Sequence, residues 1–134
     1  VIKQFRAKAC AIEEDEDLNS FMIVLADDPE NPEEWIELQQ ALEYDEQDQE
    51  LGMDSYCIVD ESGASYYGGI SECKLDQKVL GFALNEEAGA TLGFDSLVIE
   101  LAFAEPSKEA LCEALQTIFE RSSSTPQTIV FSLG

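Results

Sequence analysis

Trp35-Ile36-Glu37-Leu38-Gln39-Gln40-Ala41-Leu42 decides the architecture of the first half of this chain, and it reads two ways. As a helix it aligns Trp35, Leu38 and Leu42, with Pro32 to open it and Glu33 and Glu34 where a first turn favours anions. As a strand it aligns Ile36, Leu38 and Leu42. Propensity leans helical. The segments before it are strands by pattern. Phe21 to Ala26 is the longest apolar run and fits a strand covered on both faces. Lys3 to Ile12 alternates, with Phe5, Ala7, Ala9 and Ala11 on one side and Gln4, Arg6 and Lys8 on the other. Glu13 to Ser20 is a polar turn, and Asp27 to Glu34, with Pro29 and Pro32, is a loop.

Beyond Leu42 the pattern is clearer. Glu43 to Met53 reads as an acidic loop closing at Gly52, followed by a strand at Ser55 to Val59 and a turn at Asp60 to Gly63. Tyr66 to Leu75 reads as a strand interrupted at Gly68-Gly69, where paired glycines mark a bulge or a close backbone approach. Asp76-Gln77 turns the chain into Val79 to Leu84. Asn85 caps a short helix that Gly93 ends. Leu97 to Phe103 is a strand with Leu97, Ile99, Leu101 and Phe103 inward. Ser107 caps a longer helix to Arg121, with Leu111, Ala114, Leu115, Ile118 and Phe119 in one stripe. Thr128 to Leu133 is a last strand. This order implies one α+β domain over residues 1–134: a mostly antiparallel sheet with a long C-terminal helix and a short helix packed on it.

Charge is the strongest signal. The 134 residues carry 29 acidic and 7 basic side chains, a formal charge of −22, and no His. Nucleic acid and anionic membranes are poor partners for such a chain, because phosphate binding needs Lys and Arg. Between Lys8 and Lys74 there is no Lys or Arg, and twenty acidic residues fall in that interval. They gather in three loops: Glu13 to Asp17, Asp27 to Glu34, and Glu43 to Asp54. If the first four strands form a meander, the first and third loops share an end. Glu13, Glu14, Asp15, Glu16 and Asp17 then lie near Glu43, Asp45, Glu46, Asp48 and Glu50. Each like-charge pair at ~4 Å costs about 1 kcal/mol even in water, so a cationic partner is the natural counterpart of the rim. Tyr44 in the third loop is expected at the surface as an aromatic anchor, and Trp35 in the core.

Other chemistries find little support. Without His, imidazole triads and dyads are excluded. The chain has no G-x-S-x-G, Walker loop, G-x-G-x-x-G or H-E-x-x-H, and Gly63 to Gly69 lacks the lysine of a P-loop. Among 29 carboxylates some pair always lies at a glycosidase-like distance, so such a pair carries no weight. Calcium is the alternative use of acidic loops, but Asp45-Glu46-Gln47-Asp48-Gln49-Glu50 lacks the EF-hand spacing and its glycine. Cys10, Cys57, Cys73 and Cys112 form no C-x-x-C pair and read as buried free thiols. No apolar run is long enough to cross a membrane, and the basic start is followed by too short an apolar stretch for a secretory signal. A cytoplasmic protein without cofactor or metal is expected.

The order of Asp45-Glu46-Gln47-Asp48, Gly52 before a strand, Tyr66-Tyr67-Gly68-Gly69-Ile70, and Leu84-Asn85-Glu86-Glu87-Ala88 running to Leu92-Gly93 resembles the immunity protein 10 family. The resemblance spans about Arg6 to Phe119. It implies a non-enzymatic antidote encoded beside a polymorphic bacterial toxin, with no catalytic residues, and it tips Trp35 to Leu42 to a strand. Tyr67 to Ile70 is expected to be structural. Combined with the charge, it implies that the two acidic loops and Tyr44 grip a basic toxin surface. The toxin expected is a nuclease, whose basic cleft the rim would occupy in place of phosphates.

Overall fold

The computed structural model describes residues 1–133. Among these residues ten strands and three helices fold as α+β, with the strands divided between two five-stranded sheets. In chain order they are β1 (Ile2–Ala7), β2 (Ala9–Asp15), β3 (Ser20–Ala26), β4 (Trp35–Ala41), α1 (Glu46–Glu50), β5 (Cys57–Asp60), β6 (Ser65–Tyr67), β7 (Ile70–Asp76), β8 (Val79–Leu84), α2 (Glu86–Leu92), β9 (Ser96–Leu101), α3 (Lys108–Glu120) and β10 (Thr128–Ser132). One sheet is the antiparallel meander β2-β3-β4-β5-β6. The other runs β1-β9-β8-β7-β10, with both edge strands parallel to their neighbours.

Trp35 to Ala41 is a strand, despite its helical propensity. It lies between β3 and β5 with Ile36 and Leu38 fully buried, and tertiary pairing outweighs the tenths of a kcal/mol that separate intrinsic preferences. Trp35 is not in the core. It is half-buried on the opposite face from Ile36 and Leu38. Phe21, Ile23 and Leu25 are buried while Met22 and Val24 are only half-buried, so β3 is covered on one face rather than both.

The expected first strand, Lys3 to Ile12, is two strands. The chain changes sheets at Lys8, and the alternation changes phase with it. Phe5 and Ala7 point into the core on β1, while Cys10 and Ile12 do so on β2. The Lys8 N–H donates to Ala26 O at 3.0 Å, tying the corner to the meander. Gly68-Gly69 is likewise a sheet crossing, from β6 to β7, instead of a bulge within one strand. Both glycines hold positive φ, 76° and 92°, where an L side chain is strained. A Cβ on Gly69 would stand 2.5 Å from that of Ala88, so the backbone here closes directly on α2.

The acidic stretch after Leu42 contains a short helix, α1, where a loop is expected. Asp45 and Asp48 cap it reciprocally, each carboxylate accepting from the other's backbone N–H. Asn85 and Ser107 cap α2 and α3 as read, and Gly93 ends α2 in the left-handed conformation. The α3 stripe Leu111, Ala114, Leu115, Ile118 and Phe119 is buried. The helix touches both sheets: Phe119 meets Tyr56, beside β5, edge-on at 5.6 Å, Gln40 Nε2 donates to Ile118 O, and Cys112 lies near Cys73 of β7. Each larger side chain in that stripe stabilises the fold by ~1.5–3 kcal/mol gross. All four cysteines are free thiols, with Cys57 and Cys73 buried and Cys10 and Cys112 half-buried.

Candidate site: an acidic rim on a sheet without cations

The meander brings the first and third acidic loops to one end of its sheet. Register fixes this: Asp15 pairs with Ser20, and Ser20 with Ala41. Asn19 then joins the loops directly. Its side-chain amide donates to Glu43 O at 3.1 Å, its Oδ1 accepts from Glu43 N at 2.9 Å, and its own carbonyl accepts from Leu42 N at 3.2 Å. Asn19 adopts φ 51°, a left-handed conformation that asparagine tolerates better than other side chains. The second loop, Asp27 to Glu34, connects the opposite ends of β3 and β4.

Glu13, Glu14, Asp15, Glu16, Asp17, Glu43, Asp45, Glu46 and Glu50 are exposed, and Asp48 is half-buried. Strand alternation divides them. Glu13 and Asp15 project from the outer face of the meander, beside Met22 and Ser20. Glu14 belongs to the inner face and lines a hollow with Glu16, Glu43 and Arg121. Arg121, at the C-terminal cap of α3, donates to Leu42 O. Cationic charge there also suits the helix dipole.

Tyr44 is not the exposed anchor expected of it. The residue is half-buried, its hydroxyl is buried beside Gln40 and Arg121, and burial holds its pKa above the ordinary value. Neither that hydroxyl nor Gln40 Oε1 has a hydrogen-bond partner among the described residues. The exposed apolar side chains near the rim are instead Leu18, at the tip of the first loop and 74% exposed, and Leu51, just after α1 and 62% exposed. Neither was visible as a candidate from sequence, because a lone leucine in a polar loop carries no periodicity.

The structure also gives the cation-free interval a physical address. The meander spans Ala9 to Tyr67, which contains nineteen of the 29 acidic residues and none of the seven basic ones. All seven cations belong to the other sheet, its connections or α3. The charge is thus divided by sheet, although cations from outside the meander meet it at its margins: Arg6 and Lys8 share a hollow with the second acidic loop, and Arg121 one with Glu14, Glu16 and Glu43. Ion pairing is sparse: the best-shielded pair joins Lys3 to Glu61 at 2.6 Å, where Glu61 also accepts from Trp35 N. Among the described residues no group of three or more His, Cys, Asp or Glu side chains is placed to hold a metal ion. Among the described residues no helix is long and apolar enough to cross a membrane.

Comparison with curated proteins and with solved structures yields no significant match. The family model for immunity protein 10 matches residues 6–110, which takes in the meander, the rim, both sheet crossings and the start of α3, and stops before β10. On that match, the chain belongs to the immunity protein 10 family.

Proposed function

We propose that this protein is a non-enzymatic antidote that binds a cognate toxin and occludes its basic active-site cleft with the acidic rim. A nuclease is the toxin class that suits such a rim best, since its cleft must attract phosphates. The observation that carries the reading is the confinement of nineteen carboxylates and no cation to one sheet, with two of its loops held side by side by Asn19. Solubility would be served equally well by dispersed charge. Concentrated charge costs stability in the free protein and returns it only when a cationic surface docks. Glu13, Glu14, Asp15, Glu16, Asp17, Glu43, Asp45, Glu46, Asp48 and Glu50 are the proposed contacts. Tyr44 supports the third loop from beneath rather than meeting the toxin.

Two sets of substitutions with equal charge change test this against the toxin domain encoded beside the gene. In the first, Glu13, Glu14, Glu16, Glu43, Glu46 and Glu50 become Gln. In the second, the exposed Glu86, Glu100, Glu105, Glu109, Glu113 and Glu120 become Gln. The rim set is expected to lose affinity by roughly a hundredfold and to lose protection in co-expressing cells, whereas the second set loses a few-fold at most. Equal losses in both sets would reduce the rim to one part of a diffuse field.

A further inference from the structure

The outer face of the meander carries a hollow of about 200 Å³ that the antidote reading does not by itself require. It opens where α1 stands against the end of the sheet. Its lining includes Asp48 from α1, Met53 just beyond it, Gln39 and Ala41 from β4, and Tyr67 from β6. The side chains have complementary properties. Tyr67 is 42% exposed and offers a ring at the sheet edge, while Met53 supplies a flexible apolar wall. Asp48 uses Oδ2 to accept from Asp45 N at 3.1 Å, which leaves Oδ1 for a ligand. Gln39 is oriented by its amide, which donates to Glu37, and this leaves its carbonyl oxygen to accept. Asp48 and Tyr67 lie close enough that the carboxylate, after burial and Cys57, helps to raise the phenol's pKa. A hollow with an apolar wall, an aromatic face and two acceptors, on a sheet without cations, matches one side chain better than any other.

We propose that this hollow receives an arginine side chain of the cationic partner, its methylenes against Met53 and Tyr67 and its guanidinium on Asp48 and Gln39. Arginine suits the site better than lysine, because a planar fork engages two acceptors at once and stacks on a ring. The proposal rests on the antidote reading for the identity of the partner, and it adds a specific lock to a broad electrostatic attraction. It also explains why α1 is capped so firmly within an otherwise loop-like stretch: the cap fixes Asp48 at the mouth of the hollow.

The test needs no toxin. The ¹⁵N-labelled protein is titrated with N-acetyl-arginine amide, and with N-acetyl-lysine amide as control. Saturable shifts at millimolar concentration are expected at the amides of Gln39, Asp48 and Tyr67, with the lysine compound at least fivefold weaker. Asp48→Asn, whose side-chain oxygen still accepts at the helix cap, should weaken arginine at least tenfold. Tyr67→Ala, at an exposed edge position, should weaken arginine more than lysine. Shifts spread over all three acidic loops, or indifference to Asp48→Asn, would overturn the proposal. The two readings also fail separately. If the probe binds here but the rim set of Gln substitutions still protects cells, the hollow stands and the antidote mechanism falls. If the rim set fails to protect and the probe ignores the hollow, the reverse holds.

Discussion

Tyr44 and Tyr56 show how one residue type has opposite consequences according to what its hydroxyl meets. The Tyr44 hydroxyl is buried close to the Gln40 side chain, but among the described residues neither it nor Gln40 Oε1 makes a well-formed hydrogen bond. Removing an unpaired polar group relieves a desolvation cost. Tyr44→Phe is therefore expected to leave stability unchanged or raise it by up to ~1 kcal/mol, read as the urea midpoint. Tyr56 is fully buried and accepts from Ile70 N at 2.9 Å, and burial pushes its pKa from 10.0 up to about 12. Cys73, also buried, rises from 9.0 to about 12 for the same reason. In both cases the folded protein holds the proton longer than the unfolded chain does. Their contribution to stability is complete below the unfolded values and is lost as pH climbs through them toward the folded ones. The urea midpoint should accordingly fall between about pH 9 and 12. Cys73→Ala should flatten the lower part of that decline, and Tyr56→Phe the upper part. A midpoint that stays level across the range in the parent protein would contradict the burial of these groups.

At the scale of elements, the two sheet crossings hold the architecture together. Gly69→Ala combines a disallowed φ with a Cβ placed 2.5 Å from Ala88. It is expected to destabilise the protein by about 2–4 kcal/mol, far more than Gly63→Ala, where open space leaves only the backbone strain. Denaturant unfolding of both variants measures the difference. The same crossings are the part of the fold that the sequence conceals. Strand existence was legible wherever large apolar side chains alternate, as in Leu97, Ile99 and Leu101, and helix ends were legible from Asn85, Gly93 and Ser107. The division into two sheets was not. Ala7, Ala9 and Ala11 have too little side chain to show that the buried face changes at Lys8, although Cys10 and Ile12 carry that signal weakly. Gly68-Gly69 announces an irregular backbone without saying which sheet the chain enters next. α1 was hidden because five polar residues give no apolar period, and only the Asp45–Asp48 spacing betrays its cap. The shared end of the acidic loops was legible once β4 is a strand, since meander geometry then leaves no other arrangement. The inward turn of the Tyr44 hydroxyl was not, because it depends on Arg121 arriving from the far end of the chain beside Gln40.

At the scale of the whole molecule, one sheet with its loops holds nineteen carboxylates and no cation, while all seven cations lie outside it. Salt should therefore act on it in opposite directions. Screening relieves repulsion within the free anionic sheet, so the melting temperature is expected to rise between about 50 and 500 mM salt. Over the same range, association with a basic toxin should slow by an order of magnitude or more, since steering depends on unscreened charge. Calorimetry and stopped-flow mixing measure the two trends, and a shared sign would mean that the rim does not govern both. The most direct measurement is carboxylate footprinting by carbodiimide-coupled labelling, followed by mass spectrometry, with and without the toxin domain. Glu13 to Asp17 and Glu43 to Glu50 are expected to lose labelling several-fold in the complex, while Glu86, Glu105 and Glu109 label as before. Protection centred on those three residues, with the rim still fully reactive, would contradict a toxin contact at the rim.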